Sequence, residues 1–269
     1  MTNMDRKKVH VAMFSGGASS AYVAYLMAQK HGKENCILFF TDTLWEHEDN
    51  YRFMYDVASY IGLDVTRRVD GRTPEEVYEQ TRFLGNSRLA KCSSELKVRQ
   101  TVIFIEELRG NGHEPILYFG IGPHEKHRKD SLTALYEHQA LEPVETRFPL
   151  VDLNLSDAEI KSIIKDEWKI DLPIMYELGF THANCGGRCV RGGFQHYKHL
   201  YLTWPEEYRE QEKMENRLRE MLGEVTILKK KDGTSMTLQR YREQIEESLQ
   251  EGSTFVDEED AIPCACVYS

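Results

Sequence analysis

Five of the six cysteines in this 269-residue chain lie in polar, glycine- or charge-flanked stretches: "AKCSSELK", "NCGGRCVRGG" and "PCACVYS". The sixth, Cys36 in the apolar run "CILFF", reads as a buried strand residue. Cys185 and Cys189 bracket Gly186 and Gly187, whose freedom lets the loop curl until both thiols face one metal or cluster. Cys92 precedes a predicted helix and follows Lys91, two features that stabilise a thiolate. A second chemical feature opens the chain. In "VHVAMFSGGASSAYVAYLM", Val9 to Met27, an apolar run meets a Ser-Gly-Gly turn and then alanines and tyrosines at helical spacing. Gly16 and Gly17 permit a sharp turn with exposed N–H groups. Ser15, Ser19 and Ser20 add hydroxyls, and the helix that follows points its positive end at an anion. The lysine of a Walker loop is missing, so the cradle suits a pyrophosphate held as a leaving group; the plainer alternative is a glycine turn between strand and helix.

The elements that must position these groups alternate. Strands are predicted at Val9 to Phe14, Ile37 to Thr41, Val65 to Val69 and Ile116 to Phe119. Helices are predicted at Ser19 to Lys30, Asp49 to Ile61 and Glu95 to Leu108. Such alternation implies a parallel sheet wrapped by helices, with ligands at the C-terminal strand ends. After Leu150 the pattern changes. Ser156 caps a helix with Asp157 and Glu159 in its first turn, Pro205 to Leu222 forms a strongly charged helix, and a hairpin turns at Asp232-Gly233 before a short helix. "FQHYKHLYLTW" could stack a base but fits better as a helix packing its aromatics inward. The last residues, "EGSTFVDEEDAIPCACVYS", read as a mobile tail. The division expected is an α/β domain over 1–150 and a smaller helical, cysteine-bearing region over 151–269.

Four blocks in order carry a resemblance. The Ser-Gly-Gly loop resembles the phosphate-binding loop of the ATP pyrophosphatases (PP-loop proteins), which split ATP between its α and β phosphates. "FTDTLWEHEDNYRFMYDVASYIGLDV", "KCSSELKV", "YFGIGPHEKHRKDS" and "YELGFTHANCGGRC" resemble successive blocks of the phosphoadenosine phosphosulfate (PAPS) reductase-like family. The resemblance runs from about Val9 to Arg191 and implies a nucleotide α-hydrolase-like, Rossmann-type α/β fold. It implies ATP, with Mg²⁺, on Ser15, Gly16, Gly17, Ser19, Ser20, Asp42 and Gly120; Asp42 could equally cap a helix. Arg128 and Lys97 are expected to contact phosphate. Gly122 stands where the third block usually has arginine, and the C-terminal Glu-Cys-Gly-x-His segment of PAPS reductases is absent, replaced by "CACVYS".

In iron–sulfur members of the family, ligands come from a Cys-Cys pair in the second of these regions and from the later pair. Here Ser93 replaces one of them, which leaves Cys92, Cys185 and Cys189, with Cys264 or Cys266 as a fourth ligand or a sulfur carrier. The implied cofactor is an iron–sulfur cluster, most simply [4Fe–4S]; zinc held by "CGGRC" and "CAC" is the alternative. The activity expected is ATP pyrophosphatase chemistry coupled to sulfur transfer through Cys185 and Cys189, in DNA phosphorothioation. Its rivals are a sulfonucleotide reductase and a non-enzymatic nucleotide- and metal-binding regulatory subunit. A net charge of −10 argues against a broad basic face. A cysteine desulfurase and a DNA-handling protein are therefore the expected partners. No apolar run suits a membrane span or a signal core, so a cytoplasmic setting is expected.

Overall fold

The computed structural model describes residues 6–86 and 90–252. Strand β1 (Lys7–Met13) leads into helix α1 (Ala18–His31), β2 (Cys36–Asp42), α2 (Glu48–Ile61), β3 (Val65–Val69) and α3 (Pro74–Thr81). A π-helical turn over Ser93–Val98 opens α4 (Arg99–Gly110), followed by β4 (His113–Tyr118), α5 (Lys126–His138) and β5 (Glu145–Arg147). These five strands form one sheet in the order β3-β2-β1-β4-β5, every pair parallel. The α/β class with a helix-wrapped parallel sheet is therefore the observed one.

Alternating residues of the strands feed opposite faces, as the pleat requires. Ala12, Leu38, Phe40 and Ile116 pack with α1 and α2 on one side. Val11, Phe39 and Leu117 pack with Phe104 and Ile105 of α4 and Leu132 and Tyr136 of α5 on the other. Burial on both faces explains why these strands read as continuous apolar runs. The chain leaves β1 toward β2 and β3 and returns on its other side for β4 and β5. The strand order thus reverses between β1 and β4, the position where such sheets open a crevice for ligands.

Short helices α6 (Pro149–Leu153), α7 (Asp157–Ser162) and α8 (Ile174–Glu177) lead away from the sheet. Leu150, Ile160, Ile164, Trp168 and Ile170 belong to the same apolar cluster as α1 and α2. Ser156 caps α7 as the sequence indicates, in a reciprocal capping box with Glu159. Helices α9 (Phe194–Thr203), α10 (Pro205–Leu222) and α11 (Leu238–Gln250), with the hairpin strands β6 (Leu228–Lys229) and β7 (Ser235–Met236), enclose a separate cluster. Phe194, Tyr197 and Leu200 of α9 are buried in it, so the aromatics of "FQHYKHLYLTW" do pack inward. Trp45, Tyr78, Leu84 and Ala90 join this cluster from the α/β part. No helix among the described residues is long and apolar enough to cross a membrane.

Candidate active site

The Ser-Gly-Gly turn lies at the C-terminal end of β1, beside the end of β4, at the reversal of strand order. Gly16 has φ +79°, and a Cβ on it would stand 2.8 Å from the Asn50 Oδ1. Gly120, just past β4, is required for a different reason: its Cβ would lie 2.6 Å from the backbone nitrogen of Ser20 and 2.8 Å from the carbonyl carbon of Ser19. Two backbones meet there with no room for a side chain. Gly17 is the N-cap of α1 and offers no side chain to the helix's first N–H groups. The Ala18 N–H donates instead to the Tyr176 hydroxyl at 3.3 Å. The loop hydroxyls are engaged within the protein: Ser15 donates to Ser20 at 3.3 Å, Ser20 to the Gly17 carbonyl at 2.9 Å, and Ser19 to Asp157 at 3.4 Å.

A cavity of about 320 Å³ opens over this cradle. Its walls include Ser15, Gly17, Ser19, Ser20, Gly120 and Arg128, and also Cys185 and Cys189. Arg128 is buried and paired with Glu125. His182, which sequence reasoning passed over although it lies within "YELGFTHANC", also lines the cavity. Both its ring nitrogens are buried with no hydrogen-bond partner, and burial lowers its pKa to about 4, so the imidazole is neutral at pH 7.

The cysteine loop is built from distant pieces. Cys185, Gly186 and Gly187 all have positive φ, at 58°, 53° and 76°. For Cys185, which carries a Cβ, this conformation costs on the order of 1–2 kcal/mol. The offset comes from Glu46, whose carboxylate accepts the Cys185 N–H at 2.7 Å. The Trp45 carbonyl lies where a Cβ on Gly186 would come within 2.9 Å, and it accepts from Arg188 at 3.3 Å. Glu46 is itself aimed by a turn at Leu44, with φ 61°, whose N–H donates to Asp42 at 2.7 Å. Burial raises the pKa of Glu46, and the nearby Lys97 charge opposes that rise. The hydrogen bond with Cys189 is the first cause holding the Cys185 thiol well above its ordinary range, and burial adds to it.

Cys92, Cys185, Cys189 and the buried Lys97 all line one small void of about 20 Å³ behind the main cavity. Cys92 has helical backbone angles and accepts a hydrogen bond from the buried Tyr78 hydroxyl at 3.1 Å. Lys97 thus stands with the cysteines and does not line the main cavity. Asp42 does not line it either: it is fully buried, taking the Tyr51 hydroxyl at 2.9 Å, the Arg67 Nε at 2.8 Å and the Leu44 N–H. The three thiols have the softness that iron–sulfur or zinc binding needs. The space between them, however, is enough for about one water molecule. Among the described residues no group of three or more His, Cys, Asp or Glu is arranged to hold a metal ion. Cys264 and Cys266 lie outside the described residues.

The family model of the phosphoadenosine phosphosulfate reductase domain matches residues 9–186, well over half of the chain. The chain belongs to the PAPS reductase domain family. It is thereby an adenine nucleotide α-hydrolase-like enzyme of the PAPS reductase type, and the family region ends inside the cysteine loop, between Gly186 and Gly187. Among solved structures, phosphoadenylyl-sulfate reductase from Candida auris, in a phosphate complex, is similar at 19% sequence identity and a TM-score of 0.43, over 65% of this chain and 79% of that one. No curated protein matches the chain.

Proposed function

We propose that this PAPS reductase family member is an ATP pyrophosphatase-type sulfurtransferase, acting in DNA phosphorothioate modification. The observation that carries the reading is the single cavity whose walls include both the phosphate cradle and the thiols of Cys185 and Cys189. ATP, entering as its Mg²⁺ complex, is attacked at the α phosphorus by a substrate oxygen. The α–β bond breaks, pyrophosphate leaves in the cradle, and the oxygen becomes part of an AMP leaving group. A persulfide on one cysteine then attacks the activated centre and displaces AMP, which forms a Cys–S–S–substrate link. The neighbouring thiolate attacks the cysteine sulfur of that link. The sulfur departs with the substrate, Cys185 and Cys189 are left as a disulfide, and a thiol reductant resets the pair. Neutral His182 can accept a proton from the attacking group at one ring nitrogen while donating at the other.

A cysteine desulfurase supplies the persulfide sulfur in this scheme, and a DNA-handling protein presents the substrate. With a net charge of −10 the chain has no net attraction for a polyanion. The void that Cys92, Cys185 and Cys189 line has room for about one water molecule, and no step above passes through a cluster. The family match is equally compatible with a second reading, reduction of a sulfonucleotide; in that reading a tail cysteine would be the attacking group.

One experiment separates the two. Anaerobic protein, with DNA and the protein that presents it, is incubated with Mg²⁺-ATP and a persulfide donor, and in parallel without DNA with adenylyl sulfate or PAPS and a thiol reductant. AMP and pyrophosphate in the first reaction are expected, with Cys185→Ala losing sulfur transfer and Cys36→Ala keeping it. ADP and phosphate as products, or sulfite released in the second reaction, would overturn the proposal. Iron and zinc analysis of the same preparation reports on the metal.

A further inference from the structure

We infer that Lys161 is the cation that meets the departing pyrophosphate, and that Asp157 holds it beside the cradle until a phosphate takes its place. The inference rests on the nucleotide reading above and supplies what the glycine–serine loop lacks, a positive side chain for the β and γ phosphates.

The Lys161 ammonium lies 2.7 Å from one Asp157 oxygen and 3.8 Å from the centre of the Tyr176 ring. Both of these partners also touch the cradle. The other Asp157 oxygen accepts the Ser19 hydroxyl at 3.4 Å, and the Tyr176 hydroxyl accepts the first N–H of α1, that of Ala18, at 3.3 Å. Lys161 is thus one link removed from two donors that an entering phosphate would claim. The capping box of Ser156 and Glu159 fixes the start of α7, and with it Asp157 on the cavity wall and Lys161 one turn on, paired to it at i,i+4.

The charge balance gives the device its direction. The cavity's lining arginine, Arg128, is paired with Glu125. Asp157 stands at the cradle with a negative charge, where a polyphosphate would repel it. As the phosphate takes the Ser19 hydroxyl, Asp157 loses that contact and the flexible lysine exchanges one anion for another without moving the backbone. Cleavage between the α and β phosphates adds charge to the leaving pyrophosphate, so a cation at that end is worth more at the transition state than in the ground state.

The test measures binding of pyrophosphate, of ATP at fixed Mg²⁺ and of adenosine to wild type, Lys161→Met, Lys161→Arg and Asp157→Asn by calorimetry, with thermal unfolding as the folding control. Lys161→Met is expected to weaken pyrophosphate and ATP by about tenfold, a typical loss for one charge-assisted contact. It leaves adenosine unchanged, and Lys161→Arg restores most of the affinity. Asp157→Asn is expected to tighten pyrophosphate binding, because it removes the competing charge. Equal weakening by both variants would make the pair a structural salt bridge and overturn the inference. So would loss of Mg²⁺-dependent ATP binding in Asp157→Asn, which would make Asp157 a metal ligand. Unchanged pyrophosphate affinity in Lys161→Met overturns it while leaving the nucleotide reading intact. Wild type that binds neither ATP nor pyrophosphate defeats both.

Discussion

The glycine–serine loop after β1, the proposed phosphate cradle, and the cysteine loop share a cavity but are held in place by opposite means. The cradle depends on side chains that are missing. Gly16 turns at positive φ against Asn50, and Gly120 lets the end of β4 approach the backbone of Ser19 and Ser20. The cysteine loop depends on buried charge. Asp42 fixes the Leu44 turn, that turn presents Glu46, and Glu46 accepts the N–H of a strained Cys185. A site assembled by close backbone approach is rigid and indifferent to pH. A site hung on Glu46, whose pKa burial raises, carries that desolvation cost and responds to protonation.

The largest effect should come from breaking the close approach. Gly120→Val places a branched side chain where a Cβ alone already meets backbone at 2.6 Å. The expected cost is about 3 kcal/mol or more, at the upper end for overpacking. ATP affinity should be lost with it, as read by urea unfolding and calorimetry. An unchanged urea midpoint and unchanged affinity would show that the cradle does not need this contact.

A smaller effect, on the order of 3 kcal/mol at most, separates the two regions by pH. Glu215 anchors the helical cluster behind the cysteine loop by accepting the N–H groups of Ile227 at 2.8 Å and Leu238 at 2.6 Å. Burial pushes its pKa up from 4.5 to about 7. A carboxyl raised in the folded state binds its proton more tightly there than in the unfolded chain. Its contribution is therefore complete below 4.5 and is lost as pH rises through about 7. The urea midpoint should fall across that window in wild type and change less in Glu215→Gln. A midpoint that rises across the window would contradict the assignment.

The smallest effect, about 1–3 kcal/mol, is expected from Glu46→Ala, which leaves the Cys185 N–H without its acceptor. ATP binding should stay within a few-fold of wild type while sulfur transfer falls and alkylation of Cys185 by iodoacetamide speeds up. A parallel loss of nucleotide binding would mean that the two regions are one mechanical unit.

The division between local and distant construction also sets what could be read beforehand. β1, its glycine turn and α1 are consecutive in the chain, and their pattern of apolar run, glycines and helical spacing fell within a residue or two of the observed bounds. The Ser156 cap and the limits of α10 are equally local. Helix α3 carried a legible signal in Thr73, Pro74 and Glu76, a capping box with proline at the first position, which the reading above did not use. β5 is three residues at a sheet edge, too short for any periodicity to emerge.

By itself, then, the sequence determined the parallel α/β order and the glycine turn between β1 and α1, because each follows from spacing within short consecutive segments. Tertiary structure alone decided the rest. It gathered Cys92, Cys185 and Cys189 on one void, placed Lys97 among them, and enclosed Asp42 between Tyr51 and Arg67. It also set Glu46 under a loop 139 positions along the chain and brought Asp157, paired with Lys161, against Ser19. The physical reason is that a buried charge settles wherever its donors converge, and those donors come from segments whose proximity is fixed only when the sheet and the helical cluster close on one another.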